Sequence, residues 1–308
     1  MKIFSKTIVL IAFITISFSA CKKDTVEIPK VVTEAKTTLN VKYGASALQN
    51  MDVYLPANRT SNTGLVIFIH GGSFIGGEKE AYNPYVKELV RNDFAVININ
   101  YRLVDATGLY DSPVRHMQSA VKIKDQVSDV SLAIDYAIAH AKEWQVSESK
   151  IALAGHSAGA TLALLYSYDA RNTNKVKVVA NLAGALDQTF TDIPFFSYLL
   201  PDFLLEGGYR YTGYEVSTAN DQHYKAISPL YVANDTQKIP TLNIFPELND
   251  VGGLPKQGRA TFNAFTTKLN SLSVPNKFVQ IAGADHEFTG KFDLVLKEVV
   301  TYFNANLK

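Results

Sequence analysis

One pentapeptide in this sequence has the residue types and spacing of a covalent catalyst: Gly155-His156-Ser157-Ala158-Gly159. It directly follows a short apolar run ending at Ala154 and directly precedes a stretch of helical character, Thr161 to Tyr168. Strand, sharp turn and helix in that order are what a nucleophile elbow requires. The serine of such an elbow sits in a strained turn, so the flanking Gly155 and Gly159 must carry no side chain where backbone and neighbours crowd. The helix that follows points the positive end of its dipole at the reacting serine. A serine lifted above a sheet in this way can attack an acyl carbonyl. It needs a base to take its proton and amide donors to receive the developing oxyanion.

Both partners can be sought by position. The segment His70 to Gly77, HGGSFIGG, follows the apolar run Leu65 to Ile69. Glycine backbone there can bring N–H groups close to an oxyanion, and Gly71 and Gly72 are the expected donors, with Ala158 supplying a further one. A phosphate-binding loop is disfavoured because no GK[ST] follows. Of the six histidines, His70, His116 and His140 precede Ser157, His156 adjoins it, and His223 lies in a stretch without strand–helix alternation. His286 follows the last expected strand, within Gly283-Ala284-Asp285-His286-Glu287-Phe288, where a base following nucleophile and acid in chain order belongs. The acid is expected just beyond the strand Leu242 to Phe245, where Glu247 and Asp250 both qualify. Asp250 is favoured as the shorter side chain, with less rotamer freedom to lose. Asp285 is too close to the base in sequence to orient it.

The elements that must hold these groups read as alternating strands and helices. Strands are expected at Leu39 to Tyr43, Met51 to Leu55, Leu65 to Ile69, Phe94 to Ile99, Ile151 to Ala154, Val176 to Leu182, Leu242 to Phe245 and Phe278 to Ile281. Val127, Val130, Ile134, Ala137, Ile138 and Ala141 recur at helical spacing. The alternation implies a mostly parallel sheet with helices on both faces. It fails between Asp187 and Asp235, a stretch that includes Phe195, Phe196, Tyr209 and Tyr211 and is too long for a plain loop. We read it as a cap inserted at about 187–235. The basic and acidic residues, 30 and 29, nearly cancel, which argues against a nucleic-acid partner. At the other end Lys2 and Lys6 precede the apolar run Ile8 to Phe18, followed by Ser19, Ala20 and the chain's single cysteine, Cys21. This pattern is a secretion signal over 1–20, its apolar run short of the about 20 residues of a membrane span. Residues 21–38 read as a polar tether and 39–308 as the catalytic domain.

Two resemblances follow from these residues. FSAC is similar to the lipobox of bacterial lipoproteins. That resemblance implies lipidation of Cys21 and an exported protein anchored to a membrane of the cell envelope. HGGSFIGG, Asn100-Tyr101-Arg102-Leu103, GHSAG, Ala226-Ile227-Ser228-Pro229-Leu230 and GADHEF, in that order, resemble the α/β-hydrolase carboxylesterases. The branch is the acetylxylan and feruloyl esterase-like group, near the hormone-sensitive lipase branch. The resemblance implies a serine carboxylic-ester hydrolase for small acyl or aryl esters, carbohydrate esters among them. It implies Ser157, Asp250 and His286 as the triad, Gly71, Gly72 and Ala158 as the oxyanion hole, and no metal or organic cofactor. Two positions depart from the family pattern. Ser73 replaces the third glycine of HGGG, and Phe245-Pro246 replaces the HG before the acid, with Asp250 about one residue late. A peptidase of related fold and a non-catalytic, membrane-tethered binding protein are the alternatives.

Overall fold

The computed structural model describes residues 33–308. The expected signal segment, Cys21 and most of the expected tether lie outside the described residues. Eight strands form one sheet: β1 Lys36–Lys42, β2 Asn50–Leu55, β3 Leu65–Ile69, β4 Ala95–Ile99, β5 Ile151–His156, β6 Val176–Leu182, β7 Thr241–Leu248 and β8 Asn276–Asp285. Their spatial order is β1-β2-β4-β3-β5-β6-β7-β8, with β2 antiparallel to both of its neighbours and the rest parallel. β1 begins at Lys36, inside the segment expected to be tether. Lys36, Thr37 and Thr38 pair with Leu55, Tyr54 and Val53. The strand is exposed along almost its whole length. It is held by backbone ladder bonds rather than by an apolar face, so its first three residues, ahead of the expected strand at Leu39 to Tyr43, left no hydrophobic pattern to find.

The central strands are buried on both faces. Leu65, Ile67 and Ile69 of β3 join one core cluster with Val127 and Ile134 of α2 (Ile123–Trp144), Leu162 of α3 (Ala158–Ser167) and Phe262 and Phe265 of a helix at Arg259–Ser271. Val66 and Phe68 alternate to the other face. There they meet Val86 and Leu89 of α1 (Asn83–Arg91) and Val295, Val299 and Phe303 of a C-terminal helix at Phe292–Asn306. This is the two-faced burial that continuous apolar runs specify. Among the described residues no helix is long and apolar enough to cross a membrane.

Between β6 and β7 the chain leaves the sheet and forms four short helices, α4 Phe196–Leu199, α5 Asp202–Thr212, α6 Asp221–Lys225 and α7 Pro229–Val232. The helices after β7 and β8 are therefore α8 and α9. Arg210 of α5, fully buried, fastens this insertion down: its guanidinium donates to Glu206 and to the carbonyls of Asp105, Thr107 and Arg115. Such a charge is stable inside because four of its five N–H donors are filled, one of them by the Glu206 carboxylate.

Candidate active site

The elbow forms as its glycines require. Ser157 adopts φ 51° and ψ −123°, in the positive-φ region that a side chain normally avoids. Its N–H donates to the Leu182 carbonyl at the end of β6, 2.8 Å away, which helps hold the turn. A Cβ on Gly159 would fall onto the carbonyl oxygens of Ile69 and His70, and one on Gly155 would lie 2.5 Å from the Gly159 carbonyl. Gly159 is therefore a steric necessity of packing the elbow against β3, and Gly155 of closing the elbow's own turn.

His286 stands where expected, and its Nε2 lies 2.9 Å from Ser157 Oγ. Its other nitrogen overturns the expected acid. Nδ1 is 2.7 Å from Oδ1 of Asn249, and neither Asp250 nor Glu247 reaches it. The cause is strand register. Leu248 of β7 pairs with Asp285 of β8 after an irregularity that begins at Pro246, so the next residue on each strand, Asn249 and His286, face one another. Glu247 braces that irregularity, accepting from Gln280 Nε2 at 3.0 Å and from the Gly283 N–H at 2.8 Å. Asp250, one residue too late, makes no side-chain hydrogen bond or ion pair among the described residues. The Asn249 amide is oriented from behind, because its Nδ2 donates to the Gln257 carbonyl at 2.6 Å. A carbonyl can only accept, so Oδ1 must face the imidazole, which then carries its proton on Nδ1 and leaves Nε2 free to accept from the serine.

The oxyanion loop also departs from expectation. The Gly71 N–H is already committed to the Tyr82 hydroxyl at 3.1 Å. The amides left free for an oxyanion are those of Gly72, Ser73 and Ala158, which have no hydrogen-bond acceptor among the described residues. Gly72 has φ +123° and Ser73 φ 52°, and Ser73, Ser157 and Ala158 line one cavity. Folding the loop back brings the Gly76 N–H onto the Gly72 carbonyl at 2.9 Å. The fold of the loop is fixed by Gln126 Nε2, which donates to the Phe74 carbonyl at 2.7 Å, and by Tyr211 Oη of α5, which donates to the Ser73 carbonyl at 2.9 Å.

Tyr82 and His156 connect the three candidate segments, the glycine loop, the elbow and the His286 loop, a role the sequence did not suggest. His156 Nε2 lies 2.8 Å from the His286 carbonyl, and its Nδ1 2.8 Å from Tyr82 Oη. The carbonyl can only accept, so Nε2 carries the proton, and Tyr82 must donate to Nδ1 while accepting from Gly71. Burial pulls His156 down to about 4 and pushes Tyr82 up to about 12, so the ring is neutral and the phenol protonated across the working range. Burial also brings His286 down to about 4, with the neighbouring His156 adding to the effect.

The cavity over Ser157 has a volume near 320 Å³. Phe74, Leu109, Phe190 and Leu204 supply apolar wall, and Tyr110 and Phe203 pair at 5.6 Å between ring centres. Of the aromatic residues expected in the insertion, Tyr211 reaches this cavity, Tyr209 stacks on His116, and Phe195 faces solvent at 77% exposure. Gln188, buried at the wall, spends only its backbone N–H on a protein partner, Ser228 Oγ. Its side-chain amide has none among the described residues. Among the described residues, the one trio of metal-ligating groups within reach of each other is His156, His286 and Glu287. All four of its imidazole nitrogens already have protein partners, so a cation would have to dismantle the site.

A mostly parallel sheet, a serine elbow after β5 and a base after β8, all at the carboxyl ends of strands, define an α/β-hydrolase. Residues 51–193, which hold the oxyanion loop and the elbow, match the BD-FAE family model. The chain is 28% identical over 264 residues to an arylesterase of Saccharolobus solfataricus, covering 83% of this chain and 78% of that one. It is 38% identical over 127 residues to a kynurenine formamidase of Meyerozyma guilliermondii, 40% of each chain. It spans only 23% of the length of an Arabidopsis thaliana methylesterase and 38% of a Salmo salar kynurenine formamidase that it also matches. Among solved structures, a truncated carbohydrate esterase from gut microbiota superposes with TM-score 0.70 at 17% identity, covering 89% of this chain and 97% of that one. An esterase of Pyrobaculum calidifontis does so with TM-score 0.65 at 20% identity, covering 88% and 83%.

Proposed function

We propose that this protein is a serine carboxylic-ester hydrolase working through an acyl-enzyme. The observation that carries the reading is the single imidazole of His286 bridging Ser157 Oγ and the Asn249 amide oxygen. In this reading His286 Nε2 takes the Ser157 proton as Oγ attacks the ester carbonyl. The Gly72, Ser73 and Ala158 amides receive the oxyanion, and the imidazolium returns its proton to the departing alcohol. Water, activated by the same histidine, then attacks the acyl-serine and releases the acid.

The cavity volume and its mixed aromatic and amide wall favour a small acyl or aryl ester, with a hydroxyl-bearing alcohol such as a sugar able to meet Gln188. The similarity to an arylesterase and the fold shared with a carbohydrate esterase lend support to this class. The test is hydrolysis of p-nitrophenyl acetate by the native chain and by Ser157→Ala. A loss on the order of a million-fold is expected for a removed nucleophile, and substantial turnover by a folded Ser157→Ala would overturn the mechanism. We further propose that Cys21 is lipidated and tethers the enzyme to a membrane. Incorporation of a palmitate analogue should disappear in Cys21→Ser, and equal labelling of both would refute it.

A further inference from the structure

The third member of the triad is an amide where a serine hydrolase ordinarily has a carboxylate. We propose that Asn249 is the positioning residue for which this site is built, and that its neutrality keeps His286 in its basic form in mildly acidic surroundings, where a carboxylate-backed imidazole would already be protonated. The inference rests on the serine-hydrolase reading above and deepens it.

Two independent features support it. First, the surroundings of residue 249 select an amide. Asn249 Nδ2 donates to the Gln257 carbonyl at 2.6 Å, and Gln257 is buried. A carboxylate in the same place would set an anionic oxygen against that carbonyl oxygen, exchanging a hydrogen bond for repulsion. The same carbonyl prevents the amide from flipping. Substituting amide for carboxylate is ruinous when it puts a donor against Nδ1 and enforces the wrong tautomer. Here the acceptor end is locked toward Nδ1, so orientation is kept and only the charge is given up.

Second, no other anion takes the place of the missing carboxylate. Ser157 and His156 face His286 from the elbow, the His156 ring centre 5.0 Å away. Asn249 faces it from the β7 loop. Tyr82, beyond His156, is a protonated phenol. The carboxylates of its own loop, Asp285 and Glu287, are both exposed: Asp285 is turned to the Thr289 N–H at 2.8 Å, and a Glu287 oxygen comes within 4.8 Å of a His286 ring nitrogen without hydrogen-bonding to it, so solvent screens its charge. Glu247 is spent on β8, and Asp250 has no hydrogen bond or ion pair among the described residues. The imidazole is thus surrounded by neutral groups and screened, solvent-facing acids. A carboxylate within hydrogen-bond reach would raise its pKa by about 1–3 units.

The test is the dependence of kcat/KM on pH, from about 4.5 to 9, for hydrolysis of p-nitrophenyl acetate, whose acidic limb reports the base of the free enzyme. Readings are confined to the range over which circular dichroism shows an intact fold. The native limb should lie below about pH 5.5. Asn249→Asp should move it upward by at least about one unit, so that near pH 5 the variant loses about two- to eightfold more activity than the native chain does. Asn249→Leu, which can neither accept from Nδ1 nor supply charge, should lose kcat by about 10²–10⁴ with KM little changed. A native limb at or above about pH 6.5, or native and Asn249→Asp limbs that coincide, overturns the inference. The native limb is decisive even if Asn249→Asp fails to fold. Ser157→Ala assayed alongside separates the two levels. If it remains active, the serine reading fails; if it is inert while the limbs coincide, only the role given to Asn249 fails.

Discussion

Replacing Tyr82 by Phe removes one oxygen and leaves two groups without partners. The ring itself keeps its packing on Phe68 and Tyr85, with centres 5.4 and 6.0 Å away, so little cavity is created. What goes is the acceptor for the Gly71 N–H and the donor for His156 Nδ1, the latter on a fully buried side chain. An unsatisfied buried polar group costs about 1–3 kcal/mol. Tyr82 is half-buried, so water recovers part of the loss, and about 2–4 kcal/mol in all is expected. Urea denaturation should show the midpoint falling at unchanged slope. Catalysis should suffer as well, because the Gly71 peptide leads directly into the proposed oxyanion donors Gly72 and Ser73, and His156 holds the His286 backbone. A drop in kcat of about 10–100-fold with little change in KM is expected from a loosened oxyanion hole. If Tyr82→Phe stays within about 0.5 kcal/mol and twofold of the native chain, the Gly71–Tyr82–His156–His286 chain does not hold the site together and the reasoning is refuted.

Asp250→Asn should leave turnover within about twofold, since surface substitutions free of special contacts are near neutral. Glu247→Gln should cost a little more, because it weakens the brace on the β7–β8 irregularity. Losses of thousands-fold in either variant would return the third triad position to a carboxylate. Stability should fall as pH drops from about 6.5 toward 4. In that window the unfolded chain binds a proton on His156 that the folded chain refuses, with a slope of up to about 1.4 kcal/mol per pH unit. Thermal denaturation of the native chain and of His156→Gln across this range checks it. A variant slope no shallower than the native one would assign the acid sensitivity elsewhere.

The sequence by itself was sufficient wherever a requirement is local. Runs such as Leu65 to Ile69 and Val176 to Leu182 must be buried on both faces, so their apolar character marked β3 and β6 to the residue. GHSAG marked the elbow because strain and crowding there admit only glycine on either side of the turn. His286 followed from the order of elements along the chain. Register and packing between distant segments decided the rest. Asn249 and Asp250 differ by one position, and only the irregular β7–β8 pairing determines which side chain meets the imidazole. A trace of this was present in the sequence: Asp250 falls one residue later than the family pattern places its acid, which leaves Asn249 at the expected position. Gly71 looked like an oxyanion donor until the turn at Lys79–Tyr82 returned a phenol to its N–H. Hydrogen-bond partners of this kind lie far apart in sequence, and no periodicity or composition records them, because the geometry that joins them exists only once the sheet has assembled.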